Sequence, residues 1–189
     1  MVALMFPLAN ASPGDTSKVI LRFAGDVLLG GHYERVAGTD VDRAFRNFTL
    51  FRTADFSLVN LENPVTTRGA KVPKEYNFRM HPRYVQSLAN AGISTVSLAN
   101  NHIFDYGREG LEDTFRWLDS AGIRYVGAGR NTNDAHTPLL FRKGRHVVAL
   151  LAYYGGGEAP AATKSTGGVA RRDLRLAARD IGVAREKGG

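Results

Sequence analysis

The stretch STVSLANNH, residues 94–102, is an apolar run that stops abruptly in polar side chains. Two other stretches share that form. ILRFAGD (20–26) closes on Asp26, and FSLVNLE (56–62) closes on Glu62. The runs are dense in Val, Ile, Leu and Phe instead of alternating, as expected of strands covered on both faces. In a parallel sheet the carboxyl ends of such strands lie along one edge, where open α/β sheets form their ligand sites. The intervals between the three are long enough for crossover connections, which need a dozen or more residues.

Outward from these runs, the spacing predicts strands over residues 19–23, 56–61, 94–99, 124–126 and 146–153. Segments of helical spacing fall between them. Residues 41–51 put Val41, Phe45, Phe48 and Phe51 on one side. Residues 82–91 offer Val85, Leu88 and Ala89, and residues 107–121 offer Leu111, Phe115 and Leu118. Gly92 and Gly122 stand where a helix ends in left-handed geometry. Alternating strands and helices predict an α/β layered domain with a largely parallel sheet. GGGEAPAATKSTGG, residues 155–168, reads as loop or linker. Residues 1–17 read as a disordered start or the remnant of a targeting segment. Residues 18–189 read as the N-terminal portion of one domain, because the last helical segment has no strand after it.

Composition narrows the classes. With 189 residues, 43% hydrophobic and 23% charged, the chain can bury one real core. No apolar run reaches membrane-spanning length. The absence of cysteine excludes disulfides and thiolate ligands. A net charge of +7 favours anionic partners by long-range attraction. There is no interleaving of basic and aromatic residues that would point to nucleic acid. The arginines of the last stretch, RRDLRLAARDIGVAREK, read as a solvated helix face.

Each polar strand end has a plain reading and a sharper one. Asp26 after glycine suits a turn or helix cap, Asn100 and Asn101 suit a turn, and His102 suits a hydrogen-bonded structural histidine. Glu62 fits a plain role least, because a carboxylate closing an apolar strand is costly without a partner. Brought together, two carboxylates, a carboxamide and an imidazole suit a hard or borderline divalent cation.

The strings FAGDVLLG, VNLENPVT, KEYNFRMHP, SLANNHIFDYGREGLEDTF and YVGAGRNTNDAHTP run in order over most of the chain. In them the chain resembles the CapA family, named for poly-γ-glutamate capsule synthesis. The ANNH-x-x-D-YG string is the most specific of them. The resemblance implies a calcineurin-like metallophosphatase fold, a layered α/β/β/α sandwich holding two divalent ions (Mn, Fe or Zn). Carried over, it implies Asp26 as ligand of the first ion, Glu62 as the carboxylate between the two and Asn101 as ligand of the second. His102 would contact the reacting group, with Asp105 orienting it. It further implies a hydrolase-like role in biosynthesis or processing of an anionic polymer or a phosphoester. Membrane-associated synthase partners and a place at the cell envelope go with that. The alternative is a non-catalytic polymer-binding or assembly subunit. The chain departs from metallophosphatases at Leu28, where they carry histidine, and it lacks their later histidine segments.

Overall fold

The computed structural model describes the backbone of residues 2–7 and the whole of residues 18–188. In chain order the elements are β1 (Val2–Pro7), β2 (Leu21–Val27), α1 (His32–Ala37), β3 (Phe56–Leu61), α2 (Val85–Asn90), β4 (Thr95–Ser97), α3 (Gly107–Ser120) and β5 (Arg124–Val126). They continue with β6 (Ala128–Gly129), α4 (Thr132–Ala135), β7 (Leu139–Lys143), β8 (His146–Leu151), β9 (Gly168–Val169) and α5 (Leu174–Gly188). Residues 1 and 8–17 of the expected start segment lie outside the described residues, whereas Val2–Pro7 forms β1.

Strands β2, β3, β4 and β5 form a parallel sheet in that spatial order. The two faces of β3 do different work. Val59 and Leu61 pack with Val96 of β4, Leu88 of α2, and Leu111, Phe115 and Leu118 of α3. Phe56 and Leu58 face the other way and pack with Leu150, Leu139 and Phe141. Those last residues belong to a separate antiparallel sheet of order β1-β8-β7. Helices therefore cover one face of the parallel sheet and a second sheet covers the other. Helix α5 packs against β8. Side-chain burial on both faces explains why the parallel strands read as unbroken apolar runs.

One expectation is sharpened and one corrected. The run 146–153 forms the expected buried strand over His146–Leu151, and it pairs antiparallel in the second sheet. Gly144-Arg145 is a turn joining β7 to β8, and Gly144, at φ 51°, takes the left-handed geometry that the turn requires. Residues 41–51 do not form a helix. Backbone N–H groups of Arg43, Phe45 and Phe48 donate to the carbonyls of Asp40, Asp42 and Phe45, three residues back, which makes successive turns. A single 3-10 turn follows at Leu50–Thr53. Val41, Phe45, Phe48 and Phe51 still pack on the core: Phe51 is buried, and the rings of Phe48 and Phe51 meet edge-to-face at 5.1 Å.

Candidate functional site

One irregularity in the sheet aims the first candidate residue. Leu21, Arg22 and Phe23 of β2 stand opposite Phe56, Ser57 and Leu58 of β3, but Asp26 stands opposite Asn60. β2 therefore carries one extra residue between Phe23 and Asp26, a bulge beside Gly25. Side chains alternate along a strand, so the extra residue moves Asp26 onto the face that carries Phe23, Leu58 and Asn60. Glu62 has the same parity as Asn60. The two carboxylates thus share one face at the carboxyl edge of the sheet.

Asn60 joins them. Its Nδ2 donates to Asp26 Oδ1 at 2.8 Å and also to Glu62 Oε2. Its Oδ1 accepts from Asn100 Nδ2 at 3.0 Å, and that same amide donates to the Leu61 carbonyl at 2.8 Å. Asn100 Oδ1 in turn accepts from the backbone N–H groups of His102 and Ile103, at 3.0 and 2.8 Å. Backbone N–H groups can only donate, so the orientation of both carboxamides follows along the chain of bonds. The turn after β4 and the carboxylate pair after β2 and β3 are one hydrogen-bonded unit.

His102 and Asp105 form the second half of the site. His102 Nδ1 lies 2.8 Å from Asp105 Oδ2, and the His102 ring packs on Phe78 with centroids 4.5 Å apart. Asp105 is fully buried and also accepts from the Phe78 N–H at 2.6 Å. Lys74 reaches in from the loop before α2. Its ammonium pairs with Asp105 Oδ1, donates to the Asn101 carbonyl at 2.9 Å and approaches His102 Nδ1 at 3.1 Å. Nδ1 cannot both donate to Asp105 and accept from Lys74. An ionised carboxylate accepts, so the proton belongs on Nδ1, and Nε2 is left without one.

The electrostatics suit a cation. Burial pushes the Glu62 carboxyl above the usual carboxylate range, and the neighbouring Asp26 charge adds to this; Asp105 adds a smaller push. His102 and the Asn60 hydrogen bond act in the opposite sense. Burial and the Asp26 charge thus both disfavour the ionised form of Glu62, and a bound divalent ion would favour it. Asn60 uses one oxygen of each carboxylate, leaving Asp26 Oδ2 and Glu62 Oε1 as donors. The donor set fits a hard or borderline divalent ion. Among the described residues, no group of three or more His, Cys, Asp or Glu is arranged to hold a metal ion.

The structure brings Asp26, Glu62, His102 and Asp105 to one edge, and the Asn101 backbone to Lys74. Two contributors escaped the sequence reading. Asn60 carries a detectable signal, a polar residue on a strand face that otherwise bears Phe56 and Leu58. Lys74 carries none, because only the fold places its loop beside the 100–105 turn. His32 is the first residue of α1, its Nδ1 3.2 Å from Arg35 Nη2.

A second polar cluster lies away from this edge. Asp180 of α5 approaches His136 Nδ1 at 2.7 Å through Oδ2, which also accepts from the Tyr153 hydroxyl at 3.1 Å. Its Oδ1 accepts from Arg179. Burial, then the Asp180 charge, pushes the Tyr153 hydroxyl well above its ordinary pKa. This cluster fastens α5 to the end of β8.

Comparison with known proteins adds to the geometry. The family model of the "Bacterial capsule synthesis protein PGA_cap" matches residues 20–188. The chain is 30% identical over 187 residues to a "PGA biosynthesis protein CapA" of Bacillus subtilis, covering 92% of this chain and 49% of that protein. It is 28% identical over 145 residues to a "Capsule biosynthesis protein CapA" of Bacillus anthracis, covering 74% of this chain and 35% of that one. A protein of Mycobacterium tuberculosis, named a probable polyglutamine synthesis accessory protein, is 39% identical over 102 residues, 52% of this chain and 27% of its own length. The chain spans about half the length, or less, of the curated relatives it matches.

Proposed function

The chain belongs to the bacterial capsule synthesis protein family PGA_cap, and from that premise we propose that it serves poly-γ-glutamate capsule biosynthesis or processing as a metal-dependent, hydrolase-like protein. In this reading residues 18–189 are the N-terminal portion of a metallophosphatase-like α/β/β/α domain. The printed names of the Bacillus relatives support the capsule role. Helices on one face of the parallel sheet, with a second sheet on the other, support the layered fold.

One observation carries the chemistry: Asp26 and Glu62 are drawn together through Asn60 and tied by Asn100 to the turn bearing Asn101 and His102. Asp26, Glu62 and Asn101 would hold divalent ions. When bound, such ions supply Lewis-acid polarisation of an anionic substrate and activation of water. The chain's own residues do the rest. Glu62 would contribute negative charge that offsets the mutual repulsion of two bound ions. His102, its Nδ1 proton fixed on Asp105, would in its imidazolium form give the Nε2 proton to the leaving group and be left as the neutral imidazole. Lys74 balances the Asp105 charge and holds the Asn101 carbonyl, which keeps the turn in register with the carboxylates. The partners in this reading are an anionic polymer or phosphoester and a membrane-associated synthase at the cell envelope.

A non-catalytic polymer-binding or assembly subunit is the second reading. The lack of a three-residue His, Asp or Glu cluster among the described residues favours it. A chain extended to the length of the curated relatives separates the two. Bound Mn, Fe or Zn and hydrolysis of phosphodiester or polyglutamate, both lost in Glu62→Ala, are expected of the enzyme. A metal-free, inactive protein that still binds polyglutamate would overturn it.

A further inference from the structure

We propose that Asn60 is a positioning residue of the metal site, an amide clamp that holds Asp26 and Glu62 at a fixed separation and transmits that setting to the Asn101-His102 turn. The proposal rests on the reading of this edge as a divalent-metal site.

Two carboxylates on one face of adjacent strands repel each other when no cation lies between them. A residue that can donate to both, without bringing charge of its own, relieves that repulsion and fixes where each carboxylate points. Asn60 is placed to do so. It stands opposite Asp26 in the sheet and two residues before Glu62 on the same strand. Its Nδ2 has two hydrogens and both are used, one for Asp26 Oδ1 and one for Glu62 Oε2. Each carboxylate keeps one oxygen free of the clamp.

The amide cannot turn over. Asn60 Oδ1 is held by the Asn100 amide at 3.0 Å, and Asn100 is fixed by two backbone donors on its own oxygen. A flipped Asn60 would set two NH2 groups against each other and point an oxygen at two carboxylates. The half-buried position of Asn60, next to the fully buried Leu61, makes such a loss of partners costly. The polarity of the chain is therefore set at the turn and read out at the carboxylates. Partners that orient metal ligands in this way are worth about 10–100-fold in metal affinity.

Mn2+ binding to the 189-residue chain, followed by electron paramagnetic resonance, tests the clamp. Asn60→Leu keeps the branching of the side chain and removes both donors together with the oxygen that accepts from Asn100. Asn60→Thr, which suits a strand, is the second variant should the first not fold. Metal-free melting is measured alongside. The expected result is Mn2+ affinity about 10–100-fold below the parent, with the spectrum of the bound ion at saturation changed as well. A purely structural role would lower the folded fraction and leave that saturated spectrum as in the parent. Parent-like affinity and spectrum in the Asn60 variants, with binding lost in Asp26→Ala and Glu62→Ala, would overturn the clamp and leave the metal site standing. A parent chain that binds no Mn2+ would overturn both.

Discussion

Asp105 Oδ2 lies 2.8 Å from His102 Nδ1, while its other oxygen pairs with the Lys74 ammonium. One buried carboxylate thus orients the imidazole and neutralises a lysine only 17% exposed. Asp105 thus has a structural role beside the orienting role proposed for it, and the two separate by experiment.

Replacing Asp105 by Ala strands the Lys74 charge inside the protein and releases the Phe78 N–H. A broken buried ion pair costs about 3–5 kcal/mol. Urea unfolding should show a loss of that order. Adding Lys74→Met should recover part of it, because the stranded charge is then gone. Equal stability of single and double variants would show that Lys74 is adequately solvated without Asp105.

Glu62 gives the site a pH signature. Its folded-state pKa is raised, by burial first and then by Asp26, so ionising it costs more in the folded chain than in the unfolded one. That cost is absent below the ordinary carboxylate range. It grows as pH rises from the ordinary value to the raised one and stays constant above. Without metal, Glu62→Gln should melt higher than the parent at about pH 7 and level with it at about pH 3. Thermal melts across that range check it. A variant that is less stable at neutral pH would mean that the charged form is favoured in the fold.

Asp113 on α3 behaves in the opposite sense. Arg68, bonded to it at 2.6 and 3.0 Å, holds its carboxyl below the ordinary range, and Thr66 adds a hydrogen bond. Its contribution is fully present above the ordinary carboxylate pKa and disappears as pH falls through the depressed one. The Arg68 and Arg116 side chains are 54% and 62% exposed, so water screens these pairs. Asp113→Asn should cost about 1–2 kcal/mol at neutral pH and nothing in acid. Urea midpoints at the two pH values measure it.

Asp180 anchors the last helix. Asp180→Ala leaves His136, 3% exposed at its side chain, and the Tyr153 hydroxyl without their acceptor. A loss of about 2–4 kcal/mol is expected. Hydrogen exchange should rise first in Leu174–Gly188, the helix that Asp180 fastens. Protection unchanged in that helix would mean that apolar contacts alone hold it.

Much of the fold is legible in the sequence where burial acts on both faces. Phe56–Leu61 and Arg124–Val126 have in the structure the bounds that their apolar runs predict. Gly107–Ser120 ends one residue short of its expected bound. Legibility fails where a pattern has two solutions. Phe45, Phe48 and Phe51 fit a helix face, but a chain of turns brings the same rings together. The run at His146–Leu151 looks like a buried parallel strand, because apolar density does not record strand direction; the glycine turn before it does. The candidate site divides in the same way. Asp26, Glu62 and His102 announce themselves by closing apolar runs. The bulge that turns Asp26 toward Asn60 depends on strand pairing, which no single strand encodes.

The proposed function requires the edge shared by Asp26, Glu62 and the Asn101-His102 turn to take up a divalent ion. Calorimetric titration of Mn2+ into the chain, beside Glu62→Ala and Asp26→Ala, tests it most directly. Saturable binding by the parent is expected, with loss of at least about tenfold in affinity for each variant. Equal affinity in all three proteins, or no binding by the parent, would contradict it.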